Sequence, residues 1–200
     1  EYTEEDLDKI DASSLQLLGA VRGMKYLLSN GVSVKETLEE LSEGIKHYED
    51  RLKYGLNKEF NPRKVLNDNP DDITDKIYGN NNVIGPTAEG ALHGTHVAGI
   101  IAAVRHNNIG IDGVADHVRI MPVRTVPDGD EYDKDVALAL RYAIDNGAKV
   151  INTSFGKEFS PHKEWVYDAL KYAAEKDVLI VNAAGNDTKN VDVQLTFPDD

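Results

Sequence analysis

The strongest chemical signal in the sequence is a histidine at the mouth of a helix of small and apolar residues: His93-Gly94-Thr95-His96-Val97-Ala98-Gly99-Ile100-Ile101-Ala102-Ala103. Taken alone, these residues leave three readings open: a packed or capping histidine, a metal pair, and a general base. The metal reading is weak, because His93 and His96 stand three apart with no Glu beside the first. The helical zinc pattern needs histidines four apart with a Glu between them. Two further strings carry polar groups at the ends of apolar runs. Val150-Ile151-Asn152-Thr153-Ser154-Phe155-Gly156 ends in a hydroxyl and a glycine, and Val181-Asn182-Ala183-Ala184-Gly185-Asn186-Asp187 ends in an asparagine amide, which can donate a hydrogen bond without carrying charge. Standing by itself, Gly185-Asn186-Asp187 would read as a turn.

In this order the three strings resemble the histidine box, the substrate-binding strand and the oxyanion-hole segment of the subtilisin-like serine proteases, the subtilases. The resemblance runs from about Ile73 to Asp200. It implies that His93 is the general base, since imidazole titrates close enough to neutrality, near ~6.5, to take a proton from a serine hydroxyl and return it to a leaving amine. It implies that Asn186 donates to the oxygen that turns negative in the tetrahedral intermediate, and that His96, one turn on, is structural. Ser154, Phe155 and Gly156 would form one wall of the pocket for the residue before the scissile bond, with Ala183, Ala184 and Gly185 as the other. Backbone groups at Ser154 to Gly156 would pair with an extended peptide as an added strand. Asp128-Gly129-Asp130 sits where family members present an edge segment to the substrate, so Asp128 and Gly129 join the binding residues. Ser154 lies on the binding strand and is not the attacking serine. No cofactor is required. The resemblance admits structural Ca²⁺ in the loop interrupting the histidine helix, the place of Arg105–Asp112, where Asn107, Asn108 and loop carbonyls are weak candidate ligands.

The elements that must position these residues follow from periodicity. A helix is expected from about His93 to Arg105, a strand Val118–Val123, a helix Lys134–Asn146, a strand Lys149–Asn152, a helix from about His162 to Glu175 and a strand Val178–Asn182. Apolar strands alternating with helices argue for an α/β fold, and the resemblance makes it a partial subtilisin-like parallel sheet with helices on both faces over residues 93–200. Residues 1–60 differ. Leu7, Ile10, Ser14, Leu17, Val21, Met24 and Leu28 form one helical stripe with Thr3 and Asp6 at its cap. Asn30-Gly31 ends it, and Ser33 with Glu36 caps a second stripe of Val34, Leu38, Leu41, Ile45, Tyr48 and Leu52. The two should pack as an antiparallel α-helical hairpin, an insertion before the sheet. Residues 61–92, rich in Asn, Asp, Gly and Pro, read as a linker or loop.

Composition limits the partners. With 35 Asp and Glu against 22 Lys and Arg, the formal charge of −13 repels nucleic acid. No cysteine is present, so disulfides, thiolate zinc sites and cysteine nucleophiles are excluded. No apolar run approaches the ~18 residues of a membrane span, and the acidic polar face of the hairpin argues against lipid surfaces. A protein or peptide substrate is the partner the resemblance implies.

The family carries its triad in the order Asp, His, Ser, and only the middle member is identifiable here. No Asp-Ser-Gly or Asp-Thr-Gly precedes His93, and no Gly-Thr-Ser appears anywhere. Asp68, Asp71, Asp72 and Asp75 fall in a polar loop, which is the wrong place for the carboxylate that orients the base. The chain therefore reads as a truncated piece of a serine endopeptidase, inactive alone, resembling Bacteroidetes-type members with a helical insertion, and secreted or periplasmic as the family usually is. A sheet shortened in this way would leave edges able to pair into a homodimer. The other reading is a degenerate subtilase that keeps the cleft as a peptide-binding or interaction module. Flanking residues in the parent gene separate the two.

Overall fold

A computed structural model describes residues 3–127, 129, 131–193, 197 and 198, with nothing stated for the side chain of Val34. The chain divides into two compact units, Glu1–Asn61 and Pro62–Asp200.

The first unit is helical. Helix α1 (Glu4–Asp8) opens on a capping box in which the Thr3 side chain accepts from the Asp6 N–H and the Asp6 carboxylate accepts from the Thr3 N–H. The single long stripe expected from Leu7 to Leu28 is broken. Residues 9–14 leave the helix, and the Ser14 hydroxyl caps a new one, α2 (Leu15–Ser29), by accepting from Leu17 N–H at 3.1 Å. Asp11, Ser13 and Ser14 are residues whose side chains compete for backbone partners, so they favour an interruption over a continuous helix. Helix α2 ends at Gly31, with φ at +73°, where Val32 N–H reaches Leu27 C=O and Gly31 N–H reaches Leu28 C=O. Ser33 then caps α3 (Val34–Asp50), which continues as a π turn over Arg51–Gly55. Among the described residues of this unit, Leu7 is the one fully buried apolar side chain.

The second unit carries the sheet. It contains helices α4 (Leu92–Ala102), α5 (Asp133–Asp145) and α6 (Lys163–Glu175), and strands β1 (Val150–Thr153) and β2 (Leu179–Asn182). The strands are parallel, with Val150 opposite Leu179 and Thr153 opposite Asn182. Ile151 and Ile180 share one face of the pleat and pack against a core of Val136, Ala137 and Leu140 from α5 with Val166 and Ala169 from α6. The opposite face, with Val150, Leu179 and Val181, is exposed, so among the described residues the helical cover expected on both faces is formed on one. The strand expected over Val118–Val123 is also not formed. Those residues have no ladder partner among the described residues, and a strand exists only where a neighbour takes its hydrogen bonds.

Residues 62–78 are irregular apart from a 3₁₀ turn at Pro62–Val65, yet they are pinned to the second unit by buried charge. Arg63 pairs with both Asp68 and Asp135, and fully buried Lys134 pairs with Asp68 and donates to Asn69 C=O at 2.9 Å. Tyr78 donates its hydroxyl to Asp135 at 2.5 Å, and the Arg63 guanidinium lies 4.0 Å from the Tyr132 ring centroid. Two cations and two carboxylates balance, which is the condition under which charges persist out of water.

Candidate active site

Parallel pairing brings two of the three strings together. Because Thr153 and Asn182 are the last registered pair of β1 and β2, the chain leaves both strands at the same, carboxyl edge of the sheet. Open α/β sheets bind ligands at that edge. The Thr153 hydroxyl donates to the Asn182 side-chain oxygen at 2.5 Å, and Ala183 N–H donates to Thr153 C=O at 3.1 Å, so the Ala183–Gly185 segment starts beside Ser154. Ser154 is itself held: its Oγ accepts from Asn152 Nδ2 at 2.8 Å. Neither Thr153 nor Asn182 stands among the sequence-level site residues. Their signal was their place, a polar residue at the end of each strand.

The segment beginning at Ser154 is packed from behind. Phe155 is half-buried against the core, and Phe155, Gly156, Val136 and Phe197 border a void of about 10 Å³, room for about one water. Lys157 and Phe197 exchange backbone hydrogen bonds of 3.1 and 3.0 Å. This antiparallel bridge begins one residue beyond the Ser154–Gly156 stretch expected to take a peptide. A methyl group at Gly156 would stand 3.2 Å from Phe197 C=O, so glycine allows that approach. Across the edge, Gly185 has φ at +85°, a left-handed turn that suits glycine and presents the exposed Asn186.

His93 is the second residue of α4 and is exposed, as is His96. Its helix is fixed at both ends by later parts of the chain. At the start, Arg124 donates to Ile84 C=O at 2.8 Å and to Gly90 C=O at 3.0 Å, clamping the segment that leads into the helix. At the end, Val114 and Ala115 N–H donate to Ile100 and Ile101 C=O at 3.0 and 2.8 Å, satisfying carbonyls that the helix leaves open. Gly113 passes so close that a β-carbon there would lie 2.4 Å from the Ala103 nitrogen. No hydrogen bond joins His93 to either wall among the described residues.

The four aspartates of the loop before His93, at 68, 71, 72 and 75, all have other partners. Asp68 belongs to the buried ion cluster, where burial pushes its carboxyl up but hydrogen bonds from Lys134 and Arg63 outweigh that and hold it below the usual carboxylate range. Asp71 faces His162 at 2.9 Å, Asp72 accepts from Thr74, and Asp75 accepts from Ile77 N–H. In the loop after α4, Asn107 Oδ1 accepts from Ile109 N–H at 2.9 Å and Asn108 has φ at +59°, an arrangement of backbone turns. Among the described residues no group of three or more His, Asp or Glu side chains is placed to hold a metal ion. Gly129 is exposed with φ at +88°, and Asp128 lies outside the described residues.

A family model described as the subtilase family matches residues 26–200. The chain belongs to the subtilases. The match begins inside α2, well before the Ile73 at which the sequence resemblance starts, so it takes in α3 as well. The chain is similar to the thermophilic serine proteinase of Bacillus sp. (strain AK1), 45% identical over 95 residues, covering 47% of this chain and 23% of that protein. It is 43% identical over 107 residues to the cell wall-associated protease of Bacillus subtilis, covering 53% of this chain and 11% of that one. Thermitase of Thermoactinomyces vulgaris is 42% identical over 95 residues, covering 47% and 33%. The chain thus spans between about a tenth and a third of these relatives. No solved structure matches it. Among the described residues of this subtilase no helix is long and apolar enough to cross a membrane.

Proposed function

We propose that this chain is a piece of a serine endopeptidase that cleaves peptide bonds through an acyl-enzyme, with the nucleophilic serine and the orienting aspartate contributed from outside these 200 residues. The observation that supports the reading is the Thr153–Asn182 register, beyond which the segments from Ser154 and from Ala183 both leave the same edge of the sheet. In the assembled enzyme His93 takes the proton of the serine hydroxyl as it attacks the scissile carbonyl, then delivers it to the leaving amine. Asn186 donates its side-chain N–H to the carbonyl oxygen as negative charge gathers there. Ser154 to Gly156 and Ala183 to Gly185 enclose the side chain before the scissile bond, and Asp128 and Gly129 border the peptide. The hairpin is an insertion between the aspartate and histidine segments of the parent, in the manner of Bacteroidetes-type members. Export accords with the names of two relatives, a cell wall-associated and a minor extracellular protease.

The test is kinetic and uses the full-length parent. Asn186→Ala is expected to lower kcat by ~10²–10³ with little change in KM, because an oxyanion donor acts in the transition state alone. An equal rise in KM instead would place Asn186 in ground-state binding and remove it from this role. The 200-residue chain alone should resist labelling by a fluorophosphonate probe, and stoichiometric labelling would show that the nucleophile is already present.

A further inference from the structure

Helix α3 presents an apolar stripe that its own unit leaves open. Leu38, Leu41, Ile45 and Tyr48 are 54%, 57%, 60% and 66% exposed, although their spacing of three, four and three marks them as one helical face. Leu38 and Leu41, the first half of the stripe, also border a groove of about 260 Å³ whose other wall includes Ala20 and Gly23 of α2. A β-carbon added at Gly23, or at Gly44 on α3, would meet nothing within 4 Å, so there is room for a further helix to approach closely. Contiguous apolar surface of this kind marks an interaction site more often than a free surface.

The chemistry of the stripe points to what covers it. We propose that the groove is occupied by α3 of a second copy of this chain, running antiparallel, so that two hairpins form a four-helix bundle about a two-fold axis. Reversing α3 on itself about residue 43 sets Leu38 against Tyr48 of the second copy and Leu41 against Ile45, filling every layer with an apolar pair. The same reversal places like flanks together, and on one flank Lys35 then faces Glu49 of the second copy, an opposite-charge contact made twice by symmetry. A parallel pairing would set Thr37 beside Ser42 and Gly44 beside Glu49 and gain no charge contact. Among the described residues of its own chain Lys35 is held by Glu39 alone, at 3.8 Å, with both side chains largely exposed, so it is available to the partner. This inference does not rest on the protease reading.

The experiment is sedimentation equilibrium of the full 200-residue chain. A concentration-dependent dimer is expected, and a chain monomeric at the highest attainable concentration would overturn the proposal. Glu49→Lys, an exposed change that leaves the helix intact, should weaken the dimer roughly tenfold by replacing two attractive contacts with repulsive ones, and Lys35→Glu combined with it should restore the wild-type constant. A dimer indifferent to Glu49→Lys would also overturn it, pointing to pairing across the edges of β1 and β2. Orientation is read from the native absence of cysteine. When Lys35→Cys and Glu49→Cys chains are mixed with a short bis-maleimide, the mixed cross-link should dominate. Predominance of the two self-cross-links would exclude the antiparallel arrangement.

Discussion

Ionisable side chains at the N-terminal ends of α5 and α6 hold the second unit together, and their protonation sets its pH range. Asp133 is buried, which raises its carboxyl, but Lys157, the Ser160 hydroxyl and the His162 backbone N–H bring it below the usual carboxylate range. Asp68 behaves alike. Groups depressed in this way stabilise the fold above their unfolded value, near ~3.9, and that contribution disappears as pH falls through the lower folded value. His162 acts in the opposite sense. Its ring faces Asp71 at 2.9 Å and Glu164 at 3.6 Å and stacks on Trp165 at 3.9 Å, and the Asp71 hydrogen bond raises its pKa. The resulting stabilisation is complete below ~6.5, the unfolded value, and is lost as pH rises through the folded one. Urea midpoints followed by Trp165 fluorescence should therefore decline from mildly acidic to mildly basic pH in the wild type, and His162→Gln should flatten that limb while leaving the acid limb in place. An unchanged slope in the variant would remove His162 from the linkage. Lys134 is predicted to matter more than any surface pair. Lys134→Met leaves Asp68 buried with half its compensation, and a loss of about 3–5 kcal/mol in equilibrium unfolding is expected, against the ~0–1 kcal/mol of an exposed pair.

Elements of the second unit were legible where local pattern and tertiary need agree. Helices over Asp133–Asp145 and Lys163–Glu175 and strands Val150–Thr153 and Leu179–Asn182 fall within one residue or so of what their periodicity dictates, because each helix turns one apolar stripe, and each strand one face, to a shared core. Val118–Val123 carries the same apolar signature without a ladder among the described residues, since a strand is a relation between two segments and sequence pattern describes one of them. The ion cluster around Asp68 was illegible for a similar reason. Asn-Asp-Asn-Pro predicts turns correctly but gives no sign that a carboxylate inside them meets Lys134, 66 residues later. At the candidate site, the segments Ser154–Gly156 and Ala183–Asn186 stand out in the sequence as motifs, whereas the Thr153–Asn182 contact between the strands that lead to them does not. The fixing of α4 is equally non-local. Gly113→Ala should push the 113–115 segment off the end of that helix, since backbone stands 2.4 Å from the new methyl and cannot swing aside as a side chain would. A destabilisation of about 1–3 kcal/mol is expected, with faster amide exchange at Val114 and Ala115. Wild-type protection at those two amides would show that the close approach is not needed to hold the helix.

At the scale of the whole molecule, the two units differ in what holds them. Apart from Leu7, the described buried apolar side chains all belong to Pro62–Asp200, which also has the balanced ion cluster; Glu1–Asn61 relies on caps, a Schellman turn and half-buried contacts among short helices. Isolated helices of 15 and 17 residues are marginal in water, so the first unit should melt before the second. The single tryptophan makes this directly measurable, because Trp165 lies in α6 and reports on the second unit alone, while far-ultraviolet circular dichroism follows the helices of both. In urea, ellipticity should fall in an early, shallow phase that Trp165 fluorescence does not register, followed by a steeper transition seen by both probes. The early phase should also move to higher urea as protein concentration rises, since a partner bound to α3 stabilises the folded hairpin by mass action. The Glu49→Lys chain should lose that concentration dependence and keep the second transition unchanged. Coincident curves at every concentration would mean that the hairpin and the sheet unfold as one cooperative body, and the division at residue 61 would then have no energetic meaning.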